Sequence, residues 1–438
     1  MNIEKKVTLI TLGCPKNQAD SEVLAGQLRD DGFILVSDAG DADVILINTC
    51  GFIEDAKAES IETILQAVRY KENDPSREVY VWGCLSERYR GEIEKEIPEA
   101  DGYFGVEPFL EIRKRLTGRE RPCDPARRIP PDPTHTAYLK ISDGCDHRCT
   151  FCAIPLFKGA YKSRPLPGLL EEARALAAQG VKELVLVAQD TTAYGRDLGD
   201  GTDLVRLIRG LVPIAGIAWI RILYAHPAHV TDELIRVMAE EEKVCKYLDL
   251  PLQHISDLLL GRMGRGMTRA ATEALIRKLR DGIPDLTLRT AFIVGFPGET
   301  DRHFEELLHF TETARFERLG AFVYSPEEGT QAFGYPAPSR EDAEARYNAL
   351  MEIQQSVSEE INEGCVGRIL SVLIDGKEND TLFYGRTQGD APEIDQTVWI
   401  ENESRPGDIV SVRIHTASAY DLEGRRIGIP SERRESCP

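Results

Sequence analysis

Cys145, Cys149 and Cys152 stand in one tight run, C-D-H-R-C-T-F-C, directly after an apolar, strand-like segment. Thiolates are the natural ligands of iron–sulfur clusters. A cubane has four irons, and this loop supplies three thiolates, which leaves one iron open to an outside ligand. An electron carrier would close that corner with a fourth cysteine. An open corner means chemistry, by the logic that separates catalytic from structural zinc sites. A zinc site would need a further Cys or His nearby. His147 lies inside the loop but is badly placed to ligate the same ion.

A second set repeats the theme. Cys14, Cys50 and Cys84 each follow a short apolar run, over residues 7–12, 44–47 and 79–82. In an open parallel sheet the carboxyl ends of the strands form one edge, where ligands bind. Thiolates from three loops distant in sequence can therefore converge on one cluster. Gly13, Gly51 and Gly83 adjoin the three cysteines and let the backbone approach closely. The alternative is three buried, unpaired thiols. Cys123, Cys245, Cys365 and Cys437 lack partners at ligand spacing and read as spectators. Ten cysteines in 438 residues are too sparse for a disulfide scaffold.

These sites need elements to position them. The runs at 7–12, 44–47 and 79–82 alternate with helical spacing over 21–29 and 54–70. That alternation predicts an N-terminal α/β domain with a parallel sheet, residues 1–120. Pro122, Pro125, Pro130, Pro131 and Pro133 mark a linker, 121–133. From 134 to 364 six strands are expected, at 137–141, 183–188, 219–224, 247–251, 288–294 and 321–324. Helical patterns over 169–179, 232–240, 269–280 and 303–314 lie between them. Six β/α units predict a partial, TIM-like barrel short of the full eight, closed by a long charged helix over 341–362. Residues 365–438 read as a small all-β, OB-like barrel with strands at 369–374, 397–400 and 408–415. The fold class is α/β with this β appendage.

Bulk properties bound the function. No stretch is apolar and long enough to span a bilayer, so no membrane partner is expected. The polar, charged start has no signal core, and a cytoplasmic location is expected. The net charge is −20. Tracking along nucleic acid calls for basic surface, so this acidity favours a basic macromolecular partner, or serves solubility alone.

The CxxxCxxC loop on a partial barrel resembles the radical S-adenosylmethionine superfamily. The resemblance implies that the open iron holds S-adenosylmethionine, which one electron cleaves to a 5′-deoxyadenosyl radical. It implies further that Phe151 packs on the adenine; a core aromatic is the other reading. The segment from Val294 to Thr300, with Gly295, Pro297 and Gly298, resembles the family's cofactor-contact turn.

With the second cysteine set, nearly the whole chain is similar to the methylthiotransferases, which replace C–H by C–S–CH3. That likeness implies two 4Fe-4S clusters, one at Cys145, Cys149 and Cys152 and an auxiliary one at Cys14, Cys50 and Cys84. The second holds or delivers sulfur, and the C-terminal barrel would be a TRAM domain. A reductant such as flavodoxin or ferredoxin and a sulfur donor are implied partners. The segments at 48–53, 154–159, 188–195, 223–227 and 247–254 resemble the branch that modifies the β-carbon of an aspartate in small-subunit ribosomal protein S-twelve. The branch acting on tRNA adenosine is the alternative, and usually has Gln-Ser where Gln253 and His254 stand. An iron–sulfur electron carrier is a distant third. Residues 366–438 hold nine Lys and Arg against thirteen Asp and Glu, which suits a basic protein better than RNA. Lys158 replaces an arginine common in related loops, which keeps the charge and loses the planar fork. His226, Gln253, His254, Asp190 and Tyr194 line the substrate pocket or serve the framework.

Overall fold

The computed structural model describes residues 5–130, 135–401 and 403–428. Pro131, Pro133 and Cys437 lie outside the described residues. Strands β1 (Lys6–Thr11), β2 (Ile34–Leu35), β3 (Val44–Thr49), β4 (Glu78–Gly83) and β5 (Gly102–Tyr103) form a parallel sheet in the order β2-β1-β3-β4-β5. Every residue of β3 is buried, as expected of a central parallel strand covered on both faces. Its side chains alternate: Val44 and Leu46 join the core with Leu24 and Trp82, while Ile45 and Ile47 join Ile64 and Val81. Helices α1 (Pro15–Asp30), α2 (Glu54–Asn73) and α3 (Cys84–Glu96) run between and after these strands.

The central part starts with β6 (Thr136–Lys140). A small antiparallel ribbon follows, β7 (Ser142–Asp143) with β8 (Lys162–Ser163), and it brackets the three-cysteine loop. Strands β9 (Glu183–Val187), β10 (Trp219–Ile222), β11 (Val244–Asp249), β12 (Thr287–Val294) and β13 (Arg318–Val323) complete a six-stranded parallel sheet in the order β13-β12-β11-β10-β9-β6. It stays open between β6 and β13. Its concave face is filled by Tyr138, Val185, Trp219 and Tyr247, which pack on Leu373 and Ala391 from the C-terminal domain and Ala19 of α1. The helix Arg340–Glu363 leads to β14 (Ile369–Lys377), β15 (Leu382–Thr387), β16 (Thr397–Glu401), β17 (Ile409–Ala417) and β18 (Asp421–Arg426), a closed five-stranded barrel.

Buried ion pairs join these parts. The proline-rich stretch is stapled down by Arg128, which is 1% exposed. Its guanidinium donates to Glu172 Oε1 at 2.8 Å and to the Tyr138 carbonyl at 2.7 Å, and it pairs with Glu22 of α1. Glu183, at the start of β9, takes Arg221 at 2.7 Å and Arg386 of the C-terminal barrel at 2.9 Å. Arg386 also binds Asp375 at 2.7 Å.

Two outcomes are expected. Arg128→Met leaves Glu22 buried without its cation and Glu172 with Arg164 alone, so apo protein should lose about 3–5 kcal/mol in chemical denaturation; a loss below 1 kcal/mol would contradict the staple. Burial alone would raise the Glu183 carboxyl, but Arg386 and Arg221 reverse this and hold it down to about 2. Its folded value lies below its unfolded one of 4.5. Its contribution to stability is therefore complete above that unfolded value and disappears as the pH falls through about 2. Unfolding curves between those limits should steepen with acid in the native protein and flatten in Glu183→Gln.

Candidate cluster and cofactor sites

Cys14 caps the start of α1, Cys50 follows β3, and Cys84 opens α3. The sheet edge thus delivers all three thiols. Gly13 has φ +88°, and a Cβ there would sit 2.7 Å from Cys50 Cβ and 2.8 Å from its Sγ. A Cβ on Gly51 would meet Leu85 Cα, in the Cys84 turn, at 2.7 Å. The loops can close on each other only without side chains at these points. Asn17 braces the set: its amide donates to the Leu12 carbonyl at 2.9 Å and the Thr49 carbonyl at 3.2 Å, and its Oδ1 lies 4.0 Å from Cys84 Sγ. Ser60 clasps Cys50, accepting from its N–H at 3.0 Å and donating to its carbonyl at 2.9 Å. Burial, with the neighbouring Cys14 and Cys50, pushes the Cys84 thiol up to about 12.

The second loop is held as firmly. The Cys145 N–H donates to the Gly159 carbonyl at 3.1 Å, and the Thr150 N–H to the Met263 carbonyl at 3.1 Å. Arg265 Nη1 lies 3.5 Å from Cys149 Sγ, and its Nη2 donates to the Pro251 carbonyl at 2.7 Å. Burial pushes Cys145 up to about 11 and Cys152 up to about 12. Ligation must therefore displace protons, as thiolate binding of metals does.

Both sets fit a multi-iron cluster better than one ion. Bonds of about 2.3 Å hold the sulfurs of a single zinc within about 4 Å of one another. Among the described residues, only His147, His226 and His229 place three such donor atoms within 4.8 Å of each other. Neither cysteine triad meets that spacing, and in a cubane each thiolate takes its own iron.

The two sets meet across one seam. Cys84 shares one buried apolar cluster with Ala153, next to Cys152, and with Phe157. Lys158 acts electrostatically on Cys84 and pairs with Asp143 at 3.1 Å. Lys16, two residues past Cys14, sits 3.9 Å above the centre of the Tyr224 ring.

Phe151 is partly buried and meets Phe296 edge-on, with centroids 6.4 Å apart. Gly295, Pro297 and Gly298 lie on the turn after β12. The Gly295 N–H donates to buried Glu299, whose carboxylate also meets His254 at 3.2 Å and Arg346 at 2.9 Å. A Cβ on Gly295 would come 2.5 Å from Ala343 Cβ, and one on Gly298 would overlap Arg262. The turn's glycines thus have a packing reason of their own. His254, fully buried on Glu299, is framework. So is Tyr194, whose hydroxyl donates to the Arg164 carbonyl at 2.8 Å. Asp190 is nearer the chemistry: its Oδ2 lies 2.7 Å from His147 Nε2 and 2.8 Å from His229 Nδ1. Burial would raise its carboxyl, but His147, His229 and Thr192 hold it far below the usual range. His226 stacks on His147 at 4.2 Å, and burial beside Arg265 pushes it down to about 2, so its ring is neutral. Gln253 has φ +73°, a conformation costly without a tertiary reason.

Sequence reasoning missed Arg265, His229 and Lys16. Signals existed for two of them. Arg265 lies between Gly264 and Gly266, both at positive φ. Lys16 is a cation in the first turn of a helix, where the dipole disfavours one.

Known proteins place these features in a family. Residues 6–105 match the uncharacterized protein family UPF0004, 139–311 the radical SAM superfamily and 366–427 the TRAM domain. Among solved structures, the fold is similar to the radical S-adenosylmethionine methyltransferase TsrM from Kitasatospora setae, with TM-score 0.56, 15% identity, and 84% of this chain and 81% of that one covered. It is also similar to the radical enzyme OxsB, with TM-score 0.52, 14% identity, and 81% and 56% covered. Sequence relatives are much nearer. The ribosomal protein uS12 methylthiotransferase RimO of Geotalea uraniireducens is 45% identical, covering 97% of this chain and 98% of its own. That of Aquifex aeolicus is 46% identical, covering 96% and 97%. Such identity from end to end, on a chain that carries both cysteine sets, means that this protein belongs to the ribosomal protein uS12 methylthiotransferase family, enzymes of the radical S-adenosylmethionine superfamily.

Proposed function

We propose that this protein replaces a hydrogen on the β-carbon of an aspartate in ribosomal protein uS12 (S-twelve) with a methylthio group. The observation that carries this reading is the seam where Cys84, Ala153 and Phe157 form one buried cluster, which brings two thiol triads together in a chain of this family. Cys145, Cys149 and Cys152 hold the cluster that binds S-adenosylmethionine, and Cys14, Cys50 and Cys84 hold the auxiliary cluster. When bound, these groups would supply the 5′-deoxyadenosyl radical, the methyl group and the sulfur.

The chain's own residues position and shield. Arg265 lends positive charge to Cys149 and Cys152. Asp190 fixes the orientation of His147 and His229 at the mouth of the barrel. Phe151, Gly295, Pro297 and Gly298 are assigned to the cofactor. The assignment of parts is 1–120 for the auxiliary cluster, 121–133 as connection, 134–364 for the radical site and 365–438 for substrate contact. An acidic C-terminal barrel suits a basic ribosomal protein. A flavodoxin- or ferredoxin-like reductant and a sulfur donor complete the reaction, in the cytoplasm; no described helix is long and apolar enough to cross a membrane.

The direct assay uses anaerobically reconstituted protein with S-adenosylmethionine, sulfide and dithionite. Small ribosomal subunits and isopentenyl-modified tRNA are offered separately. A gain of about 46 Da, the replacement of H by SCH3, is expected on an aspartate-containing uS12 peptide. The same gain on tRNA alone would reverse the substrate assignment. Replacing Cys14, Cys50 and Cys84 together by alanine should remove about half the iron and all methylthiolation, while deoxyadenosine is still formed. Replacing Cys145, Cys149 and Cys152 should abolish deoxyadenosine as well. Equal behaviour of the two triple variants would contradict the division of labour.

A further inference from the structure

Lys16, Lys158 and Arg265 are buried or nearly buried cations that act on cysteines of the two triads, and a fourth, Lys140, is joined to Lys158 through Asp143. Three are committed. Lys140 pairs with Asp20, Glu107 and Asp143. Lys158 pairs with Asp143. Arg265 is held by Cys149 and the Pro251 carbonyl. Lys16 is 7% exposed, and among the described residues its ammonium has no ion pair and no hydrogen bond; it sits over the Tyr224 ring and is attracted by Cys14, Tyr224 and Asp143.

We propose that the Lys16 ammonium, seated over Tyr224, is the docking point for the side-chain carboxylate of the aspartate this protein modifies. The inference rests on the functional reading above. Its physical basis is a local conflict. Lys16 stands in the first turn of α1, which contains no acidic residue, so the helix dipole and burial both oppose a cation there. Sequences break such rules at functional sites. A second conflict lies beneath it. Tyr224 holds φ +58°, a region a bulky residue rarely occupies, at the carboxyl end of β10. That backbone is fixed by its N–H donating to Asp249 at 2.9 Å and its carbonyl accepting from the Thr191 N–H at 3.1 Å. The strain serves to place an aromatic face under the ammonium.

The position suits the chemistry. Lys16 follows Cys14 by two residues. Tyr224 precedes His226 by two, and His226 stacks on His147 between Cys145 and Cys149. Lys16 therefore lies between the auxiliary triad and the radical loop. The reacting β-carbon of an aspartate is bonded to its carboxylate carbon, so the charge must enter the seam with the reacting atom. A carboxylate cannot be buried there without a counter-charge. An ammonium offers three donors and accommodates either carboxylate oxygen.

The test compares native holoenzyme with Lys16→Gln and Lys16→Arg on two forms of uS12, carrying Asp or Asn at the modified position. Iron content, the spin-resonance signal of the auxiliary cluster and deoxyadenosine formation without substrate are measured alongside. Native enzyme should prefer the Asp form strongly. Lys16→Gln should lower kcat/KM for that form about a hundredfold, alter the Asn form only a few-fold, and leave the iron and the signal unchanged. Lys16→Arg should recover part of the loss. An unchanged Asp-to-Asn ratio in Lys16→Gln overturns the inference alone. So does an equal loss on both forms with a shifted cluster signal, which would make Lys16 a counter-charge for the auxiliary cluster. Native enzyme inactive on the Asp form would overturn the functional reading together with the inference.

Discussion

The fixed point of this molecule is the buried ammonium of Lys140. It sits at the end of β6 and pairs with Asp20 of α1, with Glu107 at 2.7 Å and with Asp143 of β7 at 3.2 Å. Asp143 in turn takes Lys158, at the end of the short helix after Cys152. One network therefore ties the helix that begins at Cys14 to the ribbon that leads into Cys145. Burial opposes the charges of Lys140, Lys158, Asp20 and Asp143, which offset one another, while Glu107 lies exposed at the rim. Asp143, though buried, stays far below the usual carboxylate range because Lys140 and Lys158 overcome its desolvation. Apolar packing alone would let the two domains slide. A network of directional pairs permits one arrangement, and the separation of the two thiol triads is set by it.

The same device recurs at the other joints. Arg128 binds Glu22 and Glu172 across the proline-rich stretch. Arg221, Glu183, Arg386 and Asp375 bind the concave sheet to the C-terminal barrel. An open six-stranded sheet leaves its inner face uncovered, and here neighbouring domains cover it in place of two further β/α units. The C-terminal barrel is thus part of the wall of the central domain. Its place at that wall is fixed by charge, while its own interior is apolar, built on Val372, Ile374, Val398, Ile400 and Val412.

How legible was this in the sequence? Parallel strands buried on both faces announce themselves as apolar runs, so β3, β4 and β9 were plain. The helix Asp232–Glu240 was visible from its stripe of Leu234, Ile235, Val237 and Met238. The cysteine sets were legible because thiolate spacing is chemistry written in one dimension, and the glycines beside them were a second sign. Some elements with charged residues among their apolar positions were not legible. Strands β15 and β18 went unseen because Arg386, Glu423 and Arg425 interrupt their apolar positions. Helix α1 was expected from residue 21, but it begins at Pro15. Its first turns carry Lys16, Asn17 and Asp20, which are buried against a seam and not against an apolar core, so hydrophobic periodicity fails there. Nothing in the local sequence marks Lys140, Arg128 and Arg221 as buried. Charged side chains are seldom buried unless paired, and pairing across domains leaves no local trace.

The chain as a whole is acidic while the seam keeps a buried cation without an ion pair, and this bears on selection. The chain carries a net −20, so its long-range field attracts a basic protein and repels nucleic acid backbone. Near the two triads Lys140 and Lys158 are matched by Asp20, Glu107 and Asp143, and among the described residues Lys16 is left there as a buried cation without an ion pair. The outer field acts over about a Debye length and is screened by salt, whereas charges in the seam are screened far less. Attraction of the whole substrate and recognition of one side chain are thereby separated. A ribosomal protein is basic overall, yet the residue to be modified is acidic. A site of uniform sign could not serve both, since a negative seam would reject the aspartate and a positive exterior would favour RNA. An acidic exterior and a buried cation at the seam let one enzyme take a basic partner and read an acidic side chain on it.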